Sequence, residues 1–176
     1  LLRYRGGAEP QSSVVGASLH GRWNLDAERS ESMTPFLISV GAPKIIARMV
    51  GSKGKPVTIT FIADVGISIE VDGKEAEVYP TNNDEVTEIT TPKGIVRATV
   101  VIGEPADDDR RDDGADETAG AALRKFTITK LGPAEGEVTT EVRELTDDGT
   151  LRATFSHTKP GEPGTTTVVR VYTRAK

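Results

Sequence analysis

Residues 165–176, Thr-Thr-Thr-Val-Val-Arg-Val-Tyr-Thr-Arg-Ala-Lys, read as a strand that sets two unusual groups on one face. Successive side chains of a strand alternate between faces, so Arg170 and Tyr172 point one way and Val169, Val171 and Thr173 the other. A surface pair and an interior pair are both compatible with this strand alone, so its neighbours decide. Immediately upstream, residues 138–146 and 151–157 alternate in the same manner, with Asp148-Gly149 and 160–164 as turn segments.

The pattern extends toward the N-terminus. Short alternating runs at 57–63, 66–71, 76–80, 84–90, 95–102 and 125–131 are separated by turn residues, among them Asp72-Gly73 and Pro92-Lys93-Gly94. A further run, 19–27, surrounds Trp23 and makes ten strands in all. Between the first and second the period changes to a helical one. Met33, Phe36, Leu37 and Val40 recur at helical spacing, Ser30 or Ser32 can cap the start, and Gly41 supplies a stop. Pro43 falls where a second short helix has its first turn, with Ile45, Ile46, Met49 and Val50 on one side. The expected fold is all-β, a ten-stranded up-and-down antiparallel barrel with a two-helix lid after the first strand, because closure removes exposed sheet edges. A Greek-key sandwich is the alternative.

Charge is unevenly placed along the 176 residues. The net charge is −5, but residues 104–117 hold eight acids against Arg110 and Arg111, a local net of −6, which leaves the remainder near +1. That segment has almost no apolar content and is expected to be a solvated, mobile insertion at 103–121, without the residue spacing of a calcium loop. Residues 1–18 read as a tail or arm and 19–176 as the barrel. A chain that begins with Leu suggests a piece of a longer product. A nearly neutral body and few aromatics argue against nucleic acid.

No cofactor or metal is expected. The absence of cysteine removes disulfides, thiolate metal sites and thiol nucleophiles, and suits a cytoplasmic location. Neither a signal peptide nor a spanning segment is indicated. Ser156 and His157 fall on opposite strand faces, His20 is the only other imidazole, and no nucleophile-elbow or phosphate-loop motif occurs, so an enzyme is not expected.

Binding is the better reading. A barrel of this many strands leaves an interior cavity, and an apolar ligand inside it needs a polar anchor. Two guanidiniums and a phenol match a carboxylate, with Arg170 and Tyr172 supplying one cation and the hydroxyl. Arg143 is the natural second cation.

In order and spacing, residues 137–145 (Glu-Val-Thr-Thr-Glu-Val-Arg-Glu-Leu), 151–157 (Leu-Arg-Ala-Thr-Phe-Ser-His) and 169–172 (Val-Arg-Val-Tyr) resemble the last three strands of the intracellular fatty-acid-binding and retinoid-binding proteins. Gly21-Arg22-Trp23 looks like the family's first strand, residues 30–51 like its lid, Lys55-Pro56 like the start of its second strand, and Asp84-Glu85-Val86-Thr87 with 93–100 like its middle strands. The resemblance spans residues 19–176. It implies a non-enzymatic binding and transport protein for a fatty acid or similar hydrophobic anion, with Arg143, Arg170 and Tyr172 on the carboxylate. It implies a portal in which Phe36, Lys44 and Arg48 take part. With Lys53 and Lys55 these cations make a basic lid suited to transient contact with anionic membranes. Three departures stand out: Met33 where the first helix usually has an aromatic, the acidic insertion, and Glu141 where an apolar residue is expected. An inward Glu141 would pair with Arg143. The second reading is therefore a lipid-free barrel serving as a structural or protein-interaction module, docking through the N-terminal arm or the acidic loop.

Overall fold

The computed structural model describes residues 18–63, 65–81, 86–91, 94–103 and 123–176. The arm, but for Ser18, and the acidic insertion, but for Gly103, lie outside the described residues, as do Asp84, Glu85, Pro92 and Lys93. In chain order the elements are β1 (Gly21–Asp26), α1 (Thr34–Ser39), α2 (Lys44–Gly51), β2 (Val57–Ile62), β3 (Gly66–Val71), β4 (Glu77–Tyr79), β5 (Thr87–Thr91), β6 (Gly94–Ile102), β7 (Lys125–Leu131), β8 (Val138–Leu145), β9 (Leu151–Thr158) and β10 (Thr165–Arg174). All pair antiparallel, in the order β4-β3-β2-β1-β10-β9-β8-β7-β6-β5. The expected ten-stranded, two-helix architecture is the one observed, and the sandwich alternative is excluded by the single sheet. Among the described residues no ladder joins β4 to β5, so the barrel is nearly rather than fully closed. No described helix is long and apolar enough to cross a membrane.

The inner face follows from burial. Trp23, Ile59, Ile67, Ile128, Leu151 and Ala153 are fully or almost fully buried and belong to one core. Trp23 donates its indole N–H to the Leu19 carbonyl at 3.0 Å, and the Arg174 guanidinium lies 4.4 Å from its ring centroid. A buried indole is thereby satisfied on its polar edge and covered on its face. The β2–β3 hairpin ends on Gly66, with φ +144°, where a Cβ would lie 2.0 Å from the Tyr79 carbonyl oxygen. Only glycine lets β3 start this close to β4.

The lid departs from expectation in its caps. Ser30 does not cap α1. Its hydroxyl donates to the Val171 carbonyl and accepts from the Val171 N–H, extending the edge of β10 where β1 has ended. Ser32 accepts from the Thr34 N–H, while Met33 occupies the cap position with no side-chain bond. Pro43 stands at the cap of α2 rather than in its first turn, since its ψ of 135° is not helical. Of the apolar side of α2, Ile45, Ile46 and Met49 are exposed and Ala47 supplies the buried contact. The helices are tied by Thr34 Oγ1 donating to the Ala47 carbonyl and by the Met33 N–H donating to the Gly51 carbonyl.

Candidate functional site

Strand register sets the site. Arg143 on β8 lies opposite Ala153 on β9, which in turn lies opposite Arg170 on β10. One step along, Leu145, Leu151 and Tyr172 form the next row, and one step the other way Glu141 faces Phe155. Because Ala153 and Leu151 are fully buried, the same pleat face carries Arg143, Arg170, Tyr172 and Glu141 inward. The alternation of the sequence left the two faces of β8 and β10 undistinguished, and burial resolves it. Arg143, Arg170 and Tyr172 are all buried and all line one cavity of about 520 Å³. Met33, Leu37, Val57, Ile69 and Phe155 give that cavity its apolar wall.

The two cations are not equivalent. Arg143 Nε donates to Glu141 Oε1, so the pairing expected of an inward Glu141 is present, with the acid only 14% exposed. Arg143 Nη1 is buried without a partner among the described residues. Arg170 turns to the lid instead. Its Nη1 donates to the carbonyls of Gly51 at 3.0 Å and Glu31 at 3.3 Å, and its Nη2 to that of Lys53 at 3.2 Å. The guanidinium thereby ties β10 to the last carbonyl of α2, where it complements the negative end of the helix dipole, and to one carbonyl on either side of the two-helix segment. Arg170 Nε is left buried and unpartnered. Among the described residues the Tyr172 hydroxyl has no hydrogen-bond partner. Burial raises its pKa, against the opposing influence of Arg143 and then Arg170, so it remains a neutral donor.

Phe36, expected at the portal, is buried on α1 and packs on Phe155 with ring centroids 5.7 Å apart. Lys44 and Arg48 are exposed on α2 and do not line the cavity, whereas Lys53 and Lys55 do.

No protein-family model and no curated protein matches this sequence. Solved structures do. A fatty-acid-binding protein of Schistosoma mansoni, in complex with arachidonic acid, aligns at TM-score 0.60 and 21% identity over 92% of this chain and 98% of its own. A fatty-acid-binding protein from Drosophila melanogaster brain tissue aligns at 0.60 and 22% over 90% of this chain and all of its own (100%). Zebrafish ileal bile acid-binding protein, complexed with cholic acid, aligns at 0.54 and 14% over 89% and 98%. The fold is that of the fatty-acid-binding proteins.

On this fatty-acid-binding-protein fold, the cavity also holds residues that the sequence reading did not single out. Tyr79 on β4 is buried, and its hydroxyl donates to Glu77 Oε2. Lys130 Nζ donates to the same oxygen at 3.0 Å and sits 5.3 Å from the Tyr79 ring centroid. Burial, then the bond to Glu77, push the Tyr79 pKa well above the ordinary phenol value. For Glu77 burial acts upward but is outweighed by the Tyr79 bond and the Lys130 charge, so the carboxyl titrates below its usual range. The i, i+2 spacing of Glu77 and Tyr79 is the signal that could have placed both inside. Lys130, on a distant strand, carries no such mark.

Proposed function

We propose that the chain is a non-enzymatic carrier of a hydrophobic ligand with one anionic head, a fatty acid or a molecule of similar build, held in the barrel cavity. The observation that carries this reading is a chamber of about 520 Å³ in which apolar side chains and charged groups share the wall, among them the buried Arg143 Nη1, which has no partner among the described residues. Chambers of several hundred Å³ with few polar groups among apolar ones are the usual form of a small-molecule site. A buried donor without an acceptor is unfavourable until a ligand supplies one. Glu141 offsets one of the two guanidiniums, so the cluster keeps one positive charge for one carboxylate. In this proposal Arg143 and Tyr172 hold the head, while Arg170 contributes its charge and fixes the lid. Arachidonic and cholic acids, the ligands named for two of the similar structures, are both carboxylic acids.

The exposed Ile45, Ile46 and Met49 beside Lys44 and Arg48 support transfer by transient membrane contact, and the lack of cysteine suits action in the cytoplasm. Native mass spectrometry of protein purified from its own cells tests the proposal through a retained lipid mass. Folded, delipidated protein that takes up no long-chain carboxylate overturns it. That outcome would favour the second reading, an interaction module docking through residues 1–18 or 103–121, for which the Glu141–Arg143 pair speaks because it fills the anchor from within.

A further inference from the structure

Two residues, Glu77 on β4 and Lys130 on β7, line both the 520 Å³ cavity and a second one of about 390 Å³, and no other described residue lines both. The second cavity has Thr91, Pro133 and Glu137 in its wall, beside the β5–β6 and β7–β8 turns. The chambers meet at the Glu77–Lys130 contact.

Register brings the contact inside the barrel. Tyr79 is opposite Ile67 and Glu77 opposite Ile69, both of which face the core, and Lys130 is opposite the buried Ala98. The β4 and β5 edges, which no ladder joins among the described residues, form a seam in the wall. Interactions from β4 to β7 therefore span that seam from within, independently of backbone pairing. Three meet there: the Lys130–Glu77 ion pair, the Lys130 ammonium over the Tyr79 ring, and the Tyr79 hydroxyl bond to Glu77.

We infer that Glu77, Tyr79 and Lys130 form a clasp that holds the β4–β5 seam from inside and acts as a partition between the two chambers, limiting the length of ligand the barrel accepts. The limit on length rests on the proposal that the central cavity is the lipid site; the hold on the seam does not. The clasp is suited to opening. The Glu77 side chain is 56% exposed, so its ion pair is weak on its own, and the phenol and the ring contact add directional rather than large terms. A longer apolar chain must displace these polar groups to gain the second chamber, and that cost offsets the added burial while the clasp is intact.

Two readouts test it with Glu77→Gln, Lys130→Met and, as a control that removes an outward-facing charge from the same strand, Lys125→Met. In ligand-free protein, hydrogen exchange at residues 77–79 should quicken about tenfold in the first two variants, with β9 and β10 unchanged and the control like wild type. Equal exchange at 77–79 in all four proteins overturns the clasp, whether or not the barrel binds lipid. With saturated fatty acids of increasing length, wild-type affinity should level off once the central cavity is full. In Lys130→Met it should keep rising, by about fourfold for each methylene that newly enters. A length profile identical to wild type overturns the partition. Absence of fatty-acid binding in every protein would refute the carrier reading and with it the length limit, and exchange alone would then decide the clasp.

Discussion

Arg143 and Arg170 stand in one row of the barrel wall, each directly opposite Ala153 on the strand between them. Two buried guanidiniums separated by one small side chain coexist because each has its own countergroup, the Glu141 carboxylate for one and the carbonyls of the lid for the other. Ala153 is fully buried, so its methyl sets the space between them. Ala153→Leu should overpack that row and lower stability by ~1–3 kcal/mol in urea unfolding. Wild-type stability in this variant would show that the row has slack.

Glu141 is the group that tempers Arg143. Glu141→Gln keeps the side-chain volume and removes the charge, leaving Arg143 without its countercharge in the cavity wall. Stability of the ligand-free protein should fall, since a buried cation loses its partner. Affinity for a carboxylate ligand should rise about tenfold, equivalent to ~1.4 kcal/mol. Calorimetric titration of wild type and variant with one fatty acid measures it. Unchanged or weaker affinity would mean that Glu141 does not compete for the anchor.

Much of this was legible in the chain, for identifiable reasons. An unbroken period of two between turn residues announces strands whatever their packing, and a single change to helical spacing at 33–40 locates the lid. The Glu141–Arg143 pair was legible because two residues two apart in a strand must share a face. The inner face was harder. Val171, on the outer face of β10, is as apolar as the inner residues because Ser30 and Glu31 run along that stretch of β10. The role of Arg170 was hidden, since its partners are backbone carbonyls, which every residue has. The Glu77–Tyr79–Lys130 group was hidden because it joins strands that no sheet ladder makes neighbours.

Asp148, in the β8–β9 turn, accepts from Thr146 Oγ1 at 2.6 Å, Thr150 Oγ1 at 2.7 Å, the Thr150 N–H at 3.2 Å and Arg29 at 2.9 Å. These donors, Thr146 foremost, hold its pKa well below the ordinary 3.8. A carboxyl depressed in the folded state contributes stability above its unfolded pKa and loses it as pH falls toward the folded one. Asp148→Asn should therefore be less stable than wild type at pH 7, and the gap should close as pH drops below 3.8. Denaturant midpoints across pH 2–7 check this, and a gap independent of pH would assign the difference to geometry rather than charge.

Tyr172 and Arg170 should part company under mutation, although both sit at the same end of the cavity. The Tyr172 hydroxyl has no partner among the described residues, so Tyr172→Phe should leave stability within about 0.5 kcal/mol of wild type and weaken carboxylate binding roughly tenfold by removing a donor. Arg170→Met instead removes the guanidinium donor from the Gly51, Glu31 and Lys53 carbonyls, of which Gly51 keeps the Met33 N–H. It should lower stability by ~1–3 kcal/mol and loosen α2, so any loss of binding would mix anchor and lid effects. Unfolding curves set beside displacement of a fluorescent fatty acid separate the two. If Tyr172→Phe binds as wild type does, the phenol is not part of the anchor. If Arg170→Met is as stable as wild type, the carbonyl contacts of its guanidinium do not hold the lid.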